Sequence, residues 1–186
     1  MLDAFFTSTV LVAVAEIGDK TQLLSFVLAA RLNRPLAIIC GILVATLLNH
    51  ALAAEAGSLI GSVLSPGLVR WITGSLFIGF GLWALRPDSL DGELKLHSSG
   101  AFVTAAIAFF FAEMGDKTQF ATIALGARFP SLIQVVAGTT LGMMVANIPA
   151  VLIGDRLAKR LPLRVVRYLA ATLFVATGVW TLLSEG

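Results

Sequence analysis

The sequence is poor in charge, in cysteine and in the side chains that most enzymes use for chemistry. Of its 186 residues, 13% are charged, two are histidine and one, Cys40, is cysteine. A single cysteine excludes a disulfide framework and a thiolate metal site. The chain also has no glycine-rich phosphate-binding loop and no Ser/His/Asp arrangement. We therefore expect neither an enzyme nor a bound cofactor, and no nucleotide as the energy source.

Hydrophobic residues, in contrast, make up 58% of the chain, and the mean hydropathy is +0.92. Six apolar stretches approach the ~20 residues that a helix needs to cross a bilayer. They lie at 4–15 with 21–30, 35–54, 71–85, 101–112 with 118–127, 129–154 and 168–184. The predicted fold is an all-α integral membrane protein with six transmembrane helices in one membrane domain.

The two halves of the sequence match at a constant shift of 97 positions, without a gap. Identical pairs include Arg31/Arg128, Gly41/Gly138, Arg70/Arg167, Gly81/Gly178 and Trp83/Trp180. We interpret this as a duplication, with three-helix repeats at 1–86 and 100–186 and a cytoplasmic linker at 87–99. Because three is an odd number, the second repeat enters the membrane from the opposite side. The predicted architecture is therefore an inverted repeat, which suits alternating access.

Basic residues in the connections predict the orientation. The loops after the first, third and fifth spans carry nine Lys and Arg residues, whereas the others carry Arg70 and Arg128. The richer side is expected to be cytoplasmic, which places both termini outside. The net charge of +2 is then explained by topology and anionic lipid, and we expect no nucleic-acid partner. The sequence does not decide the oligomeric state, and a homo-oligomer is one possibility.

The strongest local signal is a polar motif that occurs in the first span of each repeat. It reads EIGDKTQ at 16–22 and EMGDKTQ at 113–119. Ionisable groups at bilayer depth are costly and usually functional. On a continuous helix, Glu16, Asp19 and Lys20 share one face, as do their counterparts in the second motif. Glycine at 18 and 115 permits either close helix approach or local unwinding.

These motifs together provide a set of hard oxygen ligands. The expected metal ligands are the carboxylates of Glu16, Asp19, Glu113 and Asp116, supported by Lys20, Thr21, Gln22, Lys117, Thr118 and Gln119. Such ligands suit Ca²⁺, Mg²⁺ or Mn²⁺ better than zinc or copper. Four carboxylates and two lysines leave a net charge of −2, which one divalent cation or two protons would neutralise. We therefore expect exchange of a metal ion for protons. Whether there is one shared metal site or two stays open.

The twice-repeated E-x-G-D-K-T motif resembles the Gdt family of calcium/manganese:proton exchangers, over essentially the whole chain. The resemblance implies six helices, metal bound by the four carboxylates, and export of Mn²⁺ or Ca²⁺ from the cytoplasm. The chain lacks the extended N-terminus and long acidic loop of eukaryotic members. It therefore looks like a bacterial form in the plasma (inner) membrane, for which manganese is the expected cargo.

Four further residues are weaker site candidates. Asn49 and His50 lie in the second span, and Asn147 lies in the fifth, where it aligns with His50 at the repeat shift. A histidine nitrogen would favour manganese over calcium, although membrane histidines often serve as hydrogen-bond partners between helices. Glu55 is expected near the outer interface, either as a solvated carboxylate or as a proton-exit group.

Two other functions fit the same residues. A small-molecule exporter, for example of amino acids, could use the acidic groups for proton coupling, and it would show little metal sensitivity. A non-transporting membrane subunit could use the motifs as salt bridges between helices, and it would tolerate swapped charges. The symmetry of the repeated acid pairs argues against this structural role.

Overall fold

The computed structural model describes residues 3–86, 100–158 and 163–184. They form eight α-helices, and no β-strand occurs within these ranges. The helices are α1 (Asp3–Glu16), α2 (Lys20–Leu32), α3 (Pro35–Val63), α4 (Pro66–Ala84), α5 (Ala101–Glu113), α6 (Lys117–Arg128), α7 (Leu132–Ala158) and α8 (Leu163–Leu183). The predicted linker at 87–99 lies outside the described residues. The predicted all-helical class is confirmed for the described residues.

Four helices are long and apolar enough to cross a membrane. They contain the spans Pro35–Val63, Pro66–Ala84, Leu132–Ile153 and Arg164–Leu183. The other four helices have 12 to 14 residues each, which is too short for a single helix to cross the bilayer. The two regions that were predicted as the first and fourth spans each contain two short helices instead, α1 with α2 and α5 with α6.

Several helix bounds differ from the sequence prediction, and two of them have a clear physical reason. The second span was expected to end at residue 54, but α3 continues to Val63, because neither Glu55 nor the serines that follow it disrupt helical hydrogen bonding. The third span was expected to begin at residue 71, but α4 begins at Pro66, since proline fits the first turn of a helix.

Small residues allow the two halves to pack closely. A methyl group added at Gly41 in α3 would lie 2.6 Å from the carbonyl oxygen of Phe102 in α5. A methyl group at Gly138 in α7 would lie 2.5 Å from the carbonyl oxygen of Phe5 in α1. Gly41 corresponds to Gly138, and Phe5 corresponds to Phe102, at the shift of 97 positions. The same contact therefore occurs twice, with the two repeats exchanged. Helices that approach this closely favour glycine at the crossing point.

Aromatic residues fill the interface between α4 and α8. Phe77 and Phe174, which are fully buried and 97 positions apart, stack with their ring centroids 6.3 Å apart. Phe80 packs edge-on against both rings. Equivalent positions of the two halves therefore contact each other directly in the interface between α4 and α8.

Candidate metal site

Both motifs lie where a helix is interrupted. Residues 17–19 separate α1 from α2, and residues 114–116 separate α5 from α6. Gly18 has φ 84° and Gly115 has φ 79°, a left-handed conformation that glycine adopts without steric cost. The prediction that each motif lies on one face of a continuous helix is wrong, because the glycine redirects the backbone. Of the two roles expected for these glycines, unwinding is the one observed at both positions.

A glutamine side chain stabilises each interruption. The backbone N–H of Gly18 donates to Oε1 of Gln22 at 2.8 Å, and that of Gly115 donates to Oε1 of Gln119 at 2.7 Å. Gln22 also donates from Nε2 to the carbonyl oxygen of Ala146 in α7 at 3.0 Å. The side chains of Gln22 and Gln119, which were expected to support the metal ligands, therefore accept hydrogen bonds from the backbone. The Gly-x-x-x-Gln spacing in both motifs is the sequence signal for this role.

Three carboxylates from the two motifs converge. Glu16, Asp19 and Asp116 are buried, and each offers an oxygen within 4.8 Å of the others. Glu16 ends α1, whereas Asp19 and Asp116 immediately precede α2 and α6. Interruption of the helices therefore brings carboxylates of both repeats together. Among the described residues, this is the only group of three or more His, Cys, Asp or Glu side chains with the spacing of a metal site.

The fourth carboxylate, Glu113, lies in a different environment. It is fully buried and accepts a hydrogen bond from Thr118 Oγ1 at 3.0 Å. Its Oε2 atom is 3.8 Å from Nε2 of His50. Glu16 likewise accepts a hydrogen bond from Thr21. The two threonines therefore orient the two glutamates, and Glu113 is the member of the predicted quartet that is absent from the converging group.

The lysines connect the motifs crosswise. The ammonium group of Lys117 contacts Oδ1 of Asp19. Nζ of Lys20 lies 3.6 Å from Oδ1 of Asp116, which also accepts the backbone N–H of Lys117 at 2.8 Å. Each lysine thus contacts the aspartate of the other repeat. Both lysines extend into the acidic cluster.

Several buried carboxylate oxygens of the cluster lack a donor. Glu16 Oε1, Glu113 Oε1 and Asp116 Oδ2 have no hydrogen-bond partner among the described residues. Burial of an ionised oxygen without a hydrogen-bond donor destabilises the folded protein by roughly several kcal/mol, because the lost hydration is not replaced. A cation or a proton at these atoms would remove that cost. The arrangement is therefore chemically suited to exchange between the two.

The weaker candidates have different positions. Asn49 donates to the carbonyl oxygen of Phe110 at 2.9 Å, and thus connects α3 to α5. Asn147 accepts from Ser25 Oγ at 2.7 Å and donates to the carbonyl oxygen of Met143 at 3.1 Å. Glu55 is exposed and, within the part of the chain that the structure describes, belongs to no group of side chains with the spacing of a metal site.

Sequence reasoning missed Ser25, which connects α2 to α7 through its hydrogen bond with Asn147. Position 25 is the counterpart of Thr122 at the repeat shift, which was its only signal.

The helical fold, the interrupted helices and the buried acidic cluster are compatible with a membrane transporter of divalent cations. The family model described as "Divalent cation/proton antiporter GDT1" matches residues 4–92 and 101–186. The chain belongs to this family of transporters.

Individual relatives cover most of the chain. A Vibrio cholerae protein named "Putative manganese exporter" is 49% identical over 171 residues, which is 91% of this chain and 86% of that protein. "GDT1-like protein 5" of Arabidopsis thaliana is 30% identical, covering 99% of this chain and 97% of its own length. "GDT1-like protein sll0615" of Synechocystis is 29% identical, with 97% and 98% covered. No solved structure matches the chain.

Proposed function

We propose that this protein exports Mn²⁺ from the cytoplasm in exchange for protons, with Ca²⁺ as the alternative cargo. The observation that carries the proposal is the convergence of Glu16, Asp19 and Asp116, from two distant motifs, within 4.8 Å of one another in a buried site. Carboxylate oxygens are the ligands that Mn²⁺ and Ca²⁺ share. The name of the Vibrio relative favours manganese.

The lysines give a reason for exchange rather than simple binding. The ammonium groups of Lys117 and Lys20 lie close to the carboxylates of Asp19 and Asp116. A divalent cation must weaken these contacts in order to reach the carboxylates, and protons must replace it after release. We propose that Glu113, close to His50, is a fourth ligand that joins the site in another conformation.

We further propose an inverted repeat that alternates access to this site. Support comes from the reciprocal contacts of Gly41 with Phe102 and of Gly138 with Phe5, and from the stacking of Phe77 on Phe174. The two halves differ in one respect. Helix α6 packs against both α3 and α4, whereas α2 packs against α7 without a comparable contact with α8. This difference favours a state that is closed at the Arg128 end of α6 and looser at the Arg31 end of α2.

The orientation of the protein is part of the proposal. Arg31 and Arg34 are exposed at the C-terminal end of α2, the end that we assign to the cytoplasm of a bacterial cell. Single cysteines at Arg34 and Gly67, introduced after Cys40→Ala, test this assignment. An impermeant thiol reagent added to intact spheroplasts should label position 67 and spare position 34. The opposite pattern would reverse the orientation.

Transport can be tested in proteoliposomes that contain a fluorescent Mn²⁺ indicator and have an acidic interior. The intact protein should drive Mn²⁺ uptake that collapses when a protonophore dissipates the pH gradient. Glu16→Gln and Asp116→Asn should lower the initial rate by about 100-fold, since even groups that only support a ligand typically contribute 10–100-fold. Glu55→Gln, a change of the same type at an exposed carboxylate, is the matched control.

The outcomes separate the candidate cargoes. Uptake of Ca²⁺ without Mn²⁺ would reassign the cargo within the same mechanism. If neither ion moves, or if Glu16→Gln is as active as Glu55→Gln, metal export through this site is wrong.

A further inference from the structure

A polar cavity, separate from the acidic cluster, lies at the end of the bundle where α3 ends and α4 begins. It has a volume of about 380 Å³, and its lining includes Arg70, Thr73, Arg128, Thr181 and Ser184. Arg70 belongs to α4, Arg128 ends α6, and Thr181 lies in the last turn of α8. The cavity therefore joins both halves of the chain and contains a basic residue from each.

The arginines are held in place, but their donors are incompletely used. Nη1 of Arg70 donates to the carbonyl oxygen of Ser184 at 3.1 Å, while its Nε is buried with no hydrogen-bond partner among the described residues. Nη1 of Arg128 contacts Thr181 Oγ1, and its guanidinium lies 5.5 Å from the centroid of the Phe129 ring. A guanidinium has five N–H donors, so both groups retain donors for a ligand.

The two threonine hydroxyl groups of the lining already donate their hydrogens to backbone carbonyl oxygens, so they are not available as donors for a ligand. Thr73 donates to the carbonyl oxygen of Val69 at 2.7 Å, and Thr181 donates to that of Thr177 at 2.7 Å. The N–H groups of the two arginines are thus the principal donors that the cavity offers. A cavity with this donor set selects an acceptor-rich, negatively charged group.

The described residues that line the cavity carry positive charge only. None of the described residues that line it is acidic, so two positive charges share one partly enclosed space. Partial burial of like charges without a counter-charge is unfavourable, and an anion would reverse the sign of that interaction. Arginine forks match the oxygens of phosphate bidentately, which makes phosphate the oxyanion that suits two guanidiniums best.

We propose that this cavity binds a phosphate group, supplied either by a phospholipid headgroup or by inorganic phosphate. Arg70 lies in the second turn of α4, at the end of a span long enough to cross the membrane, which is the depth of lipid headgroups. A phosphate bound by Arg70 and Arg128 connects α4, α6 and α8 at this end of the bundle. The proposal is independent of metal transport, because it involves none of the acidic residues.

Binding can be measured on purified, delipidated protein in a non-ionic detergent. One arm titrates inorganic phosphate against matched chloride, and the other adds phosphatidylglycerol; thermal unfolding and native mass spectrometry are the readouts. We expect a higher unfolding temperature and a retained phosphate or lipid adduct. Arg70→Gln/Arg128→Gln should weaken the affinity by about tenfold or more, because each arginine contributes charge-assisted hydrogen bonds. Arg31→Gln/Arg34→Gln, which removes the same charge at exposed positions of the opposite end, should retain binding.

Arg70→Lys/Arg128→Lys covers the case in which the glutamine variant does not fold, because it retains the charge but loses the planar fork. It should bind with intermediate affinity. Response to phosphatidylglycerol alone identifies a headgroup, and response to inorganic phosphate identifies a free anion. No response in either arm, or equal loss in the Arg31/Arg34 variant, would overturn the proposal.

Discussion

Lys117 and Asp19 are 98 positions apart in the chain, and their charged groups are in direct contact. The contact is buried, with 4% of the Lys117 side chain and none of the Asp19 side chain exposed. The related pair, Lys20 with Asp116, has a separation of 3.6 Å, and 27% of the Lys20 side chain is exposed. The lysines of the two motifs therefore have unequal environments, although their sequences are almost identical.

This inequality predicts different costs for the same substitution. Lys117→Gln removes a buried ionic contact of Asp19 and should lower the free energy of unfolding by about 3–5 kcal/mol. Lys20→Gln breaks a longer and partly exposed pair and should cost about 1 kcal/mol or less. Thermal unfolding in detergent, followed by tryptophan fluorescence, measures both.

A double variant provides the control for this prediction. Asp19→Asn/Lys117→Gln should lose less stability than the two single variants added together, because it leaves no unpaired charge. Equal losses for Lys20→Gln and Lys117→Gln, or strict additivity in the double variant, would contradict the buried cross-repeat contact.

The glutamines of the motifs provide a second matched pair. Gln22→Glu keeps the acceptor for Gly18 but places an oxygen against the carbonyl of Ala146, in a position only 2% exposed. It should cost about 1–3 kcal/mol of stability, the penalty of an unsatisfied buried polar group. Gln119→Glu keeps the bond to Gly115 at a half-buried position and should cost about 1 kcal/mol or less.

Chemical unfolding of both glutamate variants in the same detergent measures the difference. A result in which Gln119→Glu is the more damaging change would show that the contact between Gln22 and Ala146 is unimportant.

The sequence predicted the helical class, the repeated motif and the residues that surround the acidic cluster. It left two roles open for Gly18 and Gly115, because a glycine within an apolar span fits both helix packing and chain interruption. The backbone conformation decides between them. Once three residues leave the helix, periodicity no longer predicts which way Asp19 or Lys20 points.

The crosswise lysine contacts could not be predicted at all. They depend on how α1–α2 and α5–α6 are placed relative to one another, and a repeat in sequence carries no information on that distance. The separate position of Glu113 has the same origin. Its counterpart Glu16 belongs to the converging group, whereas Glu113 lies close to His50, whose counterpart is Asn147. Identical motifs thus acquire different neighbours from the non-identical helices around them.

Substitution of Gly115 measures the cost of backbone strain without any steric collision. A methyl group added there meets nothing within 4 Å, but φ is +79°, where residues with a side chain are strained. Gly115→Ala should therefore cost about 1–2 kcal/mol and weaken Mn²⁺ binding, because the interruption positions Asp116. Gly115→Asn should be milder, since asparagine tolerates this conformation better than alanine.

Gly67→Ala, at a position equally open and with an ordinary φ, is the control for space alone. Calorimetric Mn²⁺ titration and thermal unfolding of the three variants test the order. An alanine at 115 that is as well tolerated as one at 67 would show that the left-handed turn is not needed.

Gly57 and Gly79 test how tightly the helices at the Arg128 end of the bundle are packed. A methyl group at Gly57 in α3 would collide with the backbone of α6, at the carbonyl of Ile123 and at the nitrogen of Ala127, 2.9 Å away. Gly79 in α4 has open space around it. Gly57→Ala should therefore lower stability by about 1–3 kcal/mol through overpacking, despite the better helix propensity of alanine. Gly79→Ala should raise stability by up to about 1 kcal/mol, because there the propensity acts alone. The two unfolding temperatures should consequently shift in opposite directions, and a rise in both would mean that α3 and α6 are not held in close contact.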